Sequence, residues 1–208
     1  MSAEPQLWMV ARKLQALSQT GLTFSTNDYD RERYHAVSEI AAQLMAQQSE
    51  TPIEVFRQMF NQQHGYATPK VDVRAAVFRD GKILLVQEAS DGEWTLPGGW
   101  ADVNDSPREA VEREVVEESG FRVRATKLAA VYDRAKHPHT PPFPFHIYKL
   151  FFLCEIIGGE PKTSNETLAV DFFAPDALPP LSATRILAAQ VQHMFEYFKN
   201  PNLPTYFD

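Results

Sequence analysis

Three glutamates, Glu114, Glu117 and Glu118, are the residues of this chain whose types and spacing best suit chemistry. Positions i, i+3 and i+4 lie on one face of a helix, so the three carboxylates would stand together. Like charges at this spacing repel by roughly 0.2–0.5 kcal/mol per pair on an isolated helix, which indicates that a positive partner belongs between them. A hard divalent cation prefers oxygen ligands. The spacing therefore predicts a divalent metal site.

The helix that must position these acids is marked at both ends. Ser106 is its predicted N-cap, Pro107 occupies the first helical position, and Glu109 completes an S-x-x-E capping box. Gly120 supplies the left-handed residue that ends the helix. The apolar stripe that would pack on a core, with the acids facing outward, consists of Ala110, Val111 and Val115.

The segment from Gly99 to Phe121 resembles the signature of a known family, the Nudix hydrolases. That signature is written G-x5-E-x7-R-E-U-x-E-E-x-G-U, with U an aliphatic or aromatic residue. The residues that match it in register are Gly99, Arg113, Glu114, Val115, Glu117, Glu118, Gly120 and Phe121. The one departure is Asp105, which stands where the signature has glutamate.

The resemblance implies a metal-ligand set. Glu114 and Glu118 are the principal ligands, and Glu117 and the carbonyl group of Gly99 assist them. The cofactor implied is Mg²⁺ (or Mn²⁺), which removes the charge barrier to attack on a diphosphate and acidifies a bound water.

The resemblance also implies catalytic roles. Arg113 matches the arginine that orients the acids through an ion pair, and Asp105, one methylene shorter than the family residue, is its partner or else a plain turn residue. The water-activating base of relatives often lies on a later loop, a placement that Glu166 matches. Glu114 or Glu117 could serve instead, and Glu166 could be a solvent-facing loop acid.

A proline-rich segment, residues 134–146, is predicted to hold the substrate, because loops on a rigid scaffold commonly do so. Its candidate binding side chains are Arg134, Lys136, His137 and His139. The two cations could bind a phosphate and the two histidines a base or the leaving phosphate. Trp100, beside the glycine turn, could stack on a base. The alternatives are that residues 134–146 form a plain surface loop and that Trp100 is a core residue.

Composition narrows the function classes. The chain has 208 residues and a net charge of −7, which argues against a protein that binds nucleic acid. The single cysteine, Cys154, excludes an intrachain disulfide and a cysteine zinc cluster. No apolar run reaches the length of a signal-peptide core or a membrane span. We therefore expect a cytoplasmic protein without a membrane partner, acting on a small nucleotide.

Periodicity predicts helices before the signature and strands around it. A first helix is predicted to pack on Leu7, Val10, Leu14 and Leu17 and to stop at Gly21. Two more helices follow before residue 66. From Val71 the pattern becomes that of strands, with a hairpin turn at Asp80 and Gly81. A last amphipathic helix covers residues 187–198.

These elements and the resemblance predict an α+β fold. The fold class is a Nudix α/β/α sandwich with a mixed sheet, preceded by a small all-helical N-terminal domain. The predicted domains are residues 1–67 and 68–208. The first of these carries a small negative charge, which favours dimerisation or a substrate cap over DNA binding. We expect a homodimer.

Longer strings around the signature, residues 94–103 and 133–139, are similar to Nudix hydrolases with a helical N-terminal extension. The implied activity is metal-dependent hydrolysis of the phosphoanhydride bond in a nucleoside diphosphate linked to another moiety, of the ADP-ribose or CDP-choline type. The products would be a nucleoside monophosphate and a phosphorylated moiety. Two alternatives are a nucleoside-triphosphate house-cleaning pyrophosphohydrolase and a non-catalytic Nudix ligand sensor.

Overall fold

The computed structural model of the protein describes residues 5–208. These residues form two compact units. The first unit consists of the chain up to Lys70 with residues 135–138 and 142–146, and the second consists of residues 71–134, 139–141 and 147–208. The predicted α+β class is confirmed, since three helices precede a mixed sheet that carries two further helices. The domain limits of residues 1–67 and 68–208 stay a prediction.

The first unit is built from helices α1 (Gln6–Phe24), α2 (Asp28–Gln47) and α3 (Ile53–Asn61). Its core is aromatic at the centre: the ring of Trp8 meets that of Phe56 edge-on at 5.9 Å, and Phe60 packs on Phe145 at 6.2 Å. The indole N–H of Trp8 donates to the carbonyl oxygen of Phe143 at 3.1 Å. Part of the proline-rich segment therefore belongs to the helical core.

The buried face of α1 is not the predicted one. Leu7, Val10 and Leu17 are 48%, 43% and 55% exposed. The residues that α1 buries are Trp8, Ala11, Gln15 and Ser18. A large indole and small neighbours fit the helix against its partners, and they displace the leucine stripe to the outside.

The predicted stop at Gly21 is also wrong, because α1 continues through it to Phe24. A Cβ atom at this position would collide with the aromatic ring of Tyr34 on α2. Gly21 therefore serves close packing between two helices rather than helix termination.

The second unit is a sheet with a helix on each face. Its strands are β1 (Lys70–Arg79), β2 (Lys82–Glu88), β3 (Trp94–Thr95), β4 (Phe121–Asp133), β5 (Ile147–Gly159), β6 (Thr167–Phe173) and β7 (Tyr206–Phe207). Their order is β3-β2-β1-β5-β4-β7, and β6 pairs with β2. The β4–β7 pair is parallel and β4–β5 is antiparallel, so the sheet is mixed. The helices are α4 (Pro107–Ser119) and α5 (Ala188–Lys199).

Both faces of the sheet are buried, which explains the nearly continuous apolar runs of β1 and β2. One cluster joins Val73, Leu84 and residues of α4, and another joins Ala76, Leu85 and residues of α5. The β1–β2 turn has positive φ angles at Asp80 (50°) and Gly81 (74°), as the predicted hairpin requires. In the described part of the chain, no helix is long and apolar enough to cross a membrane.

The turn that precedes α4 is pinned to β1. The N–H of Ala75 donates to the carbonyl oxygen of Pro97 at 2.9 Å, and that of Val73 donates to Gly99 at 2.8 Å. Gly98 has φ 140°, and a Cβ there would collide with the carbonyl oxygen of Val73. The backbone of this turn, residues 96–99, thus lies directly on the sheet and requires glycine.

Candidate active site

Helix α4 has the ends and the apolar stripe that the sequence predicts. The N–H of Ser106 donates to Glu109 Oε2 at 2.9 Å, and the N–H of Glu109 donates to Ser106 Oγ at 3.3 Å. Gly120 follows in the left-handed conformation with φ 75°. The stripe of Ala110, Val111 and Val115 is fully buried. This packing fixes the direction in which the acids project.

The three glutamates do not all face solvent, contrary to the expectation. Glu118 is 6% exposed, and its Oε2 accepts a hydrogen bond from the N–H of Gly98 at 2.8 Å. The side chain of Glu114 is 12% exposed and that of Glu117 is 57% exposed. Glu118 is therefore buried beside the glycine turn, Glu114 is partly buried, and Glu117 lies at the exposed edge.

Glycine at position 99 makes room for Glu114. A Cβ added there would lie 2.8 Å from Glu114 Oε2. The carbonyl oxygen of Gly99 accepts one hydrogen bond, from Val73, and a carbonyl oxygen has a second lone pair. Carboxylate oxygens and a backbone carbonyl thus gather at one end of the sheet.

Arg113 joins the acids to the loop before α4. Its Nε donates to Asp105 Oδ2 at 3.0 Å, and its Nη1 donates to Glu114 Oε1 at 3.0 Å and to Glu117 Oε2 at 3.1 Å. Its Nη2 lies 3.1 Å from Asp102 Oδ2. The shorter side chain of Asp105 therefore does reach the arginine. The pKa of Arg113 is raised, first by the hydrogen bond with Asp105 and then by the other acids.

Burial raises the pKa values of the two inner glutamates. The pKa of Glu118 rises to about 8, because burial penalises its charged form and Glu114 and Glu88 repel it. The pKa of Glu114 is raised by burial as well, against the attraction of Arg113. A cation bound between these side chains would reverse both shifts, since it would stabilise the carboxylate forms.

A buried ion cluster that the sequence did not predict lies beneath the glycine turn. Arg74 donates to both carboxylate oxygens of Asp72, at 3.0 and 2.7 Å, and Lys149 Nζ donates to Asp72 Oδ1 at 2.6 Å. The signal was present in β1, where Asp72 and Arg74 at i and i+2 must share one face of the strand. Lys149 likewise shares one face of β5 with the buried residues Ile147 and Phe151, which lie two positions before and after it.

Glu88, at the end of β2, is a further buried acid that the sequence analysis missed. It is 8% exposed, and its Oε1 lies 3.1 Å from Arg185 Nε. Burial raises its pKa, and it interacts electrostatically with Arg74 and Glu166. Arg185 also pairs with Asp91 at 2.8 Å, so this arginine links the end of β2 to the loop between β2 and β3.

Glu166 lies on an exposed loop that is tied to two elements of the site. Its carbonyl oxygen accepts from the N–H of Ala89 at 2.8 Å, next to Glu88. The hydroxyl group of the following residue, Thr167, donates to the carbonyl oxygen of Glu118 at 2.9 Å. The loop that carries the predicted base is therefore anchored to the end of helix α4.

The predicted substrate-binding side chains fall in different surroundings. Arg134 is 6% exposed and its Nη2 donates to the carbonyl oxygen of Pro141 at 2.9 Å, while His139 Nδ1 lies 3.0 Å from the carbonyl oxygen of Ala183. These contacts favour a structural role for both. Lys136 and His137 belong to the first unit. Trp100 is 46% exposed and directly follows Gly99.

The donor set fits a hard divalent cation. Glu114, Glu118 and the carbonyl of Gly99 offer oxygen ligands alone, as such a cation prefers. Across residues 5–208, no three acid, histidine or cysteine side chains are already arranged as a metal cage. Arg113 is paired with Glu114, and the Gly98 N–H donates to Glu118. The two carboxylates are therefore held beside the turn, but they do not by themselves form a complete coordination shell. This agrees with Mg²⁺ sites, which use one or two carboxylates and complete themselves with water and substrate phosphates.

Comparison with known families agrees with this geometry. The NUDIX domain matches residues 68–194, and a "UDP-X-like, N-terminal oligomerisation domain" matches residues 5–60. The chain therefore belongs to the Nudix hydrolase family, and it is a pyrophosphatase of that family. The resemblance drawn from the signature is confirmed.

Particular relatives cover most or all of the chain. It is 44% identical over 198 residues to a Bacillus subtilis (strain 168) protein named "Putative ADP-ribose pyrophosphatase YjhB", covering 95% of both chains. It resembles the crystal structure of a UDP-X diphosphatase, with 30% identity, a TM-score of 0.62 and full coverage of both chains. An ADP-ribose pyrophosphatase from Streptococcus suis 89-1591 matches with 43% identity and a TM-score of 0.61, over 68% of this chain and all of that one.

Proposed function

We propose that this enzyme hydrolyses the phosphoanhydride bond of a nucleoside diphosphate linked to another moiety, of the ADP-ribose or UDP-X type. Water adds across the P–O–P link, giving a nucleoside monophosphate and a phosphorylated moiety. The observation that carries the proposal is the pair of carboxylates, buried Glu118 and partly buried Glu114, that lie against a glycine turn. The names of relatives that match along nearly the whole chain support the substrate class.

Glu114, Glu118 and the carbonyl oxygen of Gly99 would hold Mg²⁺ (or Mn²⁺), and Glu117 would assist from the exposed edge. The cation supplies charge neutralisation of the diphosphate and acidification of a water. Arg113 fixes the rotamers of Glu114 and Glu117 through its ion pairs. Asp105 in turn fixes Arg113, because it accepts from the guanidinium Nε.

Glu166 is the proposed general base that takes the proton of the attacking water. Its loop is hydrogen-bonded to the end of α4 through Thr167, which keeps it beside the ligands. It is exposed, as a group that must exchange protons with solvent should be. Glu114 and Glu117 are the alternatives within the signature.

Trp100 is the side chain best placed to stack on the substrate's base, because it is partly exposed and follows Gly99 directly. Arg134 and His139 would contribute by shaping the loop between β4 and β5, given their contacts with backbone carbonyls. Phosphate binding by Lys136 and base binding by His137 stay predictions.

We also propose that the enzyme is a cytoplasmic homodimer associated through α1. The outer face of α1 carries Leu7, Val10, Leu17 and Phe24 at heptad-like spacing, each more than two-fifths exposed. The matched N-terminal family is described as an oligomerisation domain, which supports the same conclusion.

The test is a substrate panel with product identification by mass spectrometry. ADP-ribose, UDP-sugars, CDP-choline, dinucleoside polyphosphates and oxidised dNTPs are each incubated with Mg²⁺ or Mn²⁺. We expect cleavage of an X-linked nucleoside diphosphate, and Glu118→Gln to lower kcat by more than about 100-fold, since even residues that merely support metal ligands cost 10–100-fold. Glu196→Gln, an exposed helical carboxylate on α5, is the matched control.

Preferred cleavage of nucleoside triphosphates would contradict the proposed substrate class. Full turnover by Glu118→Gln would contradict the proposed site. Tight binding of every panel member without a product would favour the ligand-sensor alternative.

A further inference from the structure

Arg74 is a buried cation with no place in the mechanism above. It is 4% exposed, and two of its nitrogens donate to the two oxygens of Asp72. Such bidentate pairing fixes the plane of a guanidinium as well as its position. The orientation of Arg74 is therefore set by β1 itself.

A second cation strengthens this arrangement. Lys149 is 2% exposed and its Nζ donates to Asp72 Oδ1 at 2.6 Å. Arg74 and Lys149 together lower the pKa of Asp72 in spite of its burial, so Asp72 remains ionised. Burial lowers the pKa of Lys149 to about 8. One anion thus anchors two buried cations from neighbouring strands.

The remaining edge of Arg74 is directed to the glycine turn. Its Nη1 donates to the carbonyl oxygen of Leu96 at 3.1 Å, and Thr95 Oγ1 lies 3.4 Å away. Two residues later, the N–H of Gly98 donates to Glu118. A buried carbonyl group needs a donor, and here the donors are two side chains, Arg74 and the hydroxyl group of Thr95, which lies 3.3 Å from the same oxygen. The position of the turn and the position of the Glu118 carboxylate are linked through this contact.

Stability of the fold alone is a weak reason for such a cluster. Replacing a buried ion pair or triad with apolar residues of similar volume is often neutral or stabilising, because the desolvation cost is large. The flanking backbone bonds of Ala75 and Val73 already hold the turn on β1 at Pro97 and Gly99. Arg74 adds a hydrogen bond at Leu96, the first residue of the turn.

We propose that Arg74 is a positioning residue, which, fixed by its two hydrogen bonds to Asp72, clamps the carbonyl group of Leu96 and so places the Gly98 N–H that orients Glu118. This inference rests on the proposed function in one respect, that Glu118 is a metal ligand. Loss of the clamp lets the turn shift, and the affinity for the cation and the turnover both fall while substrate binding changes little.

The Gly98 amide can be observed selectively. Pro97–Gly98 is the one proline–glycine pair among the 208 residues. Labelling with carbonyl-¹³C proline and ¹⁵N glycine therefore gives a single carbonyl-edited amide signal, from Gly98. We expect a downfield amide shift typical of a hydrogen bond to a carboxylate in the wild type, and loss of that shift in Glu118→Gln.

The decisive variant is Arg74→Lys, which keeps the charge but cannot bridge Asp72 and Leu96 at once. We expect its Gly98 signal to move or broaden and its affinity for Mn²⁺ alone, measured by electron paramagnetic resonance, to fall about 10–100-fold. At saturating Mn²⁺ we expect kcat to fall similarly with KM nearly unchanged. Lys149→Met is the matched control, because it removes a buried cation from the same anion but leaves the contact with Leu96. Its Gly98 signal should stay in place.

An Arg74→Lys protein with the wild-type Gly98 signal and Mn²⁺ affinity would overturn the proposal. Equal displacement of the signal in Lys149→Met would overturn it too, since that would indicate a general loss of packing. If Arg74→Lys does not fold, Asp72→Asn gives the same readout with a smaller expected shift. A wild type without turnover would contradict the proposed function, and the Gly98 signal would still decide the role of Arg74.

Discussion

A surface helix usually buries its apolar side chains and exposes its polar ones. Helices α1 and α4 both depart from this pattern, but in different ways. Helix α1 buries Gln15 and Ser18 and exposes Leu7, Val10 and Leu17. Helix α4 buries its valine stripe as expected, but it also buries Glu118. In each case one face of the helix departs from the amphipathic pattern that packing alone would produce.

The difference indicates what each helix is for. Exposed apolar residues in a row are typical of a surface that another protein covers. A buried acid whose pKa is raised by its surroundings is typical of a functional site. The first departure therefore points to assembly and the second to catalysis, and each can be tested by restoring the ordinary pattern.

The largest expected effect is on assembly. We expect Val10→Asp with Leu17→Asp to raise the dimer dissociation constant by at least about 100-fold, because each buried aliphatic side chain contributes about 1.5–3 kcal/mol and a buried charge costs more. Sedimentation equilibrium measures the change. The control is Ile157→Asp, an apolar residue of the second unit that is 55% exposed.

A wild type that is monomeric at micromolar concentration would remove the basis of this side of the comparison. A double variant that remains dimeric would show that another face of the chain forms the interface.

The second expected effect is on the pH dependence of stability without metal. Glu118 has a pKa of about 8 in the folded protein, against about 4.3 when unfolded. Between these values the folded state binds more protons, so its contribution to stability is present at low pH and is lost as pH rises through about 8. We expect Glu118→Gln to be more stable than the wild type by several kcal/mol at pH 8.5, because each unit between the two pKa values corresponds to about 1.4 kcal/mol, and nearly equal to it at pH 4.

Urea denaturation in the presence of a chelator measures this difference. Glu117→Gln, the same substitution at an exposed position of the same helix, is the matched control. Mg²⁺ should stabilise the wild type and not Glu118→Gln. A Glu118→Gln protein that is less stable than the wild type at pH 8.5 would show that this acid is not strained by burial.

The smallest expected effect concerns Gly21, where α1 meets α2. In an exposed helix position, glycine to alanine would stabilise by roughly 1 kcal/mol. Here the added methyl group collides with the ring of Tyr34, so we expect Gly21→Ala to destabilise the first unit by about 1 kcal/mol net. Thermal unfolding followed by circular dichroism measures it.

Gly21→Ala combined with Tyr34→Ala supplies the cycle that isolates the contact. The double variant should be more stable than the sum of the single effects predicts. A stabilised Gly21→Ala would mean that the ring moves aside freely and that the glycine has no packing role.

Features written into neighbouring residues were predictable. The capping box of Ser106 and Glu109, the left-handed Gly120 and the Asp80-Gly81 hairpin all depend on local backbone chemistry, and all three are confirmed. The Nudix fold class was predictable because the signature is long and in register. The approach of Asp105 to Arg113 was left open, since one methylene group of reach depends on the exact path of the loop.

Features that depend on distant strands were not predictable. The spacing of Asp72 and Arg74 gave their common face, but nothing local indicated that Lys149, 77 residues later, would share the same carboxylate. The prediction of the buried face of α1 was wrong, because two faces of that helix carry apolar residues. Which of them is buried depends on how Trp8 packs on Phe56.

The Thr167 hydroxyl has a consequence for how this enzyme tolerates change. The hydroxyl group donates to the carbonyl oxygen of Glu118 in the last turn of α4. The position of the neighbouring residue Glu166, the proposed general base, therefore depends on the position of this helix. The N–H of Lys162, a few residues upstream, donates to the carbonyl oxygen of Ser119 at 2.9 Å, so the segment before Glu166 is bonded to the same end of α4. An insertion between Glu160 and Thr167 would therefore disturb the end of the helix that carries Glu118, and a probe or a tag belongs elsewhere on the surface.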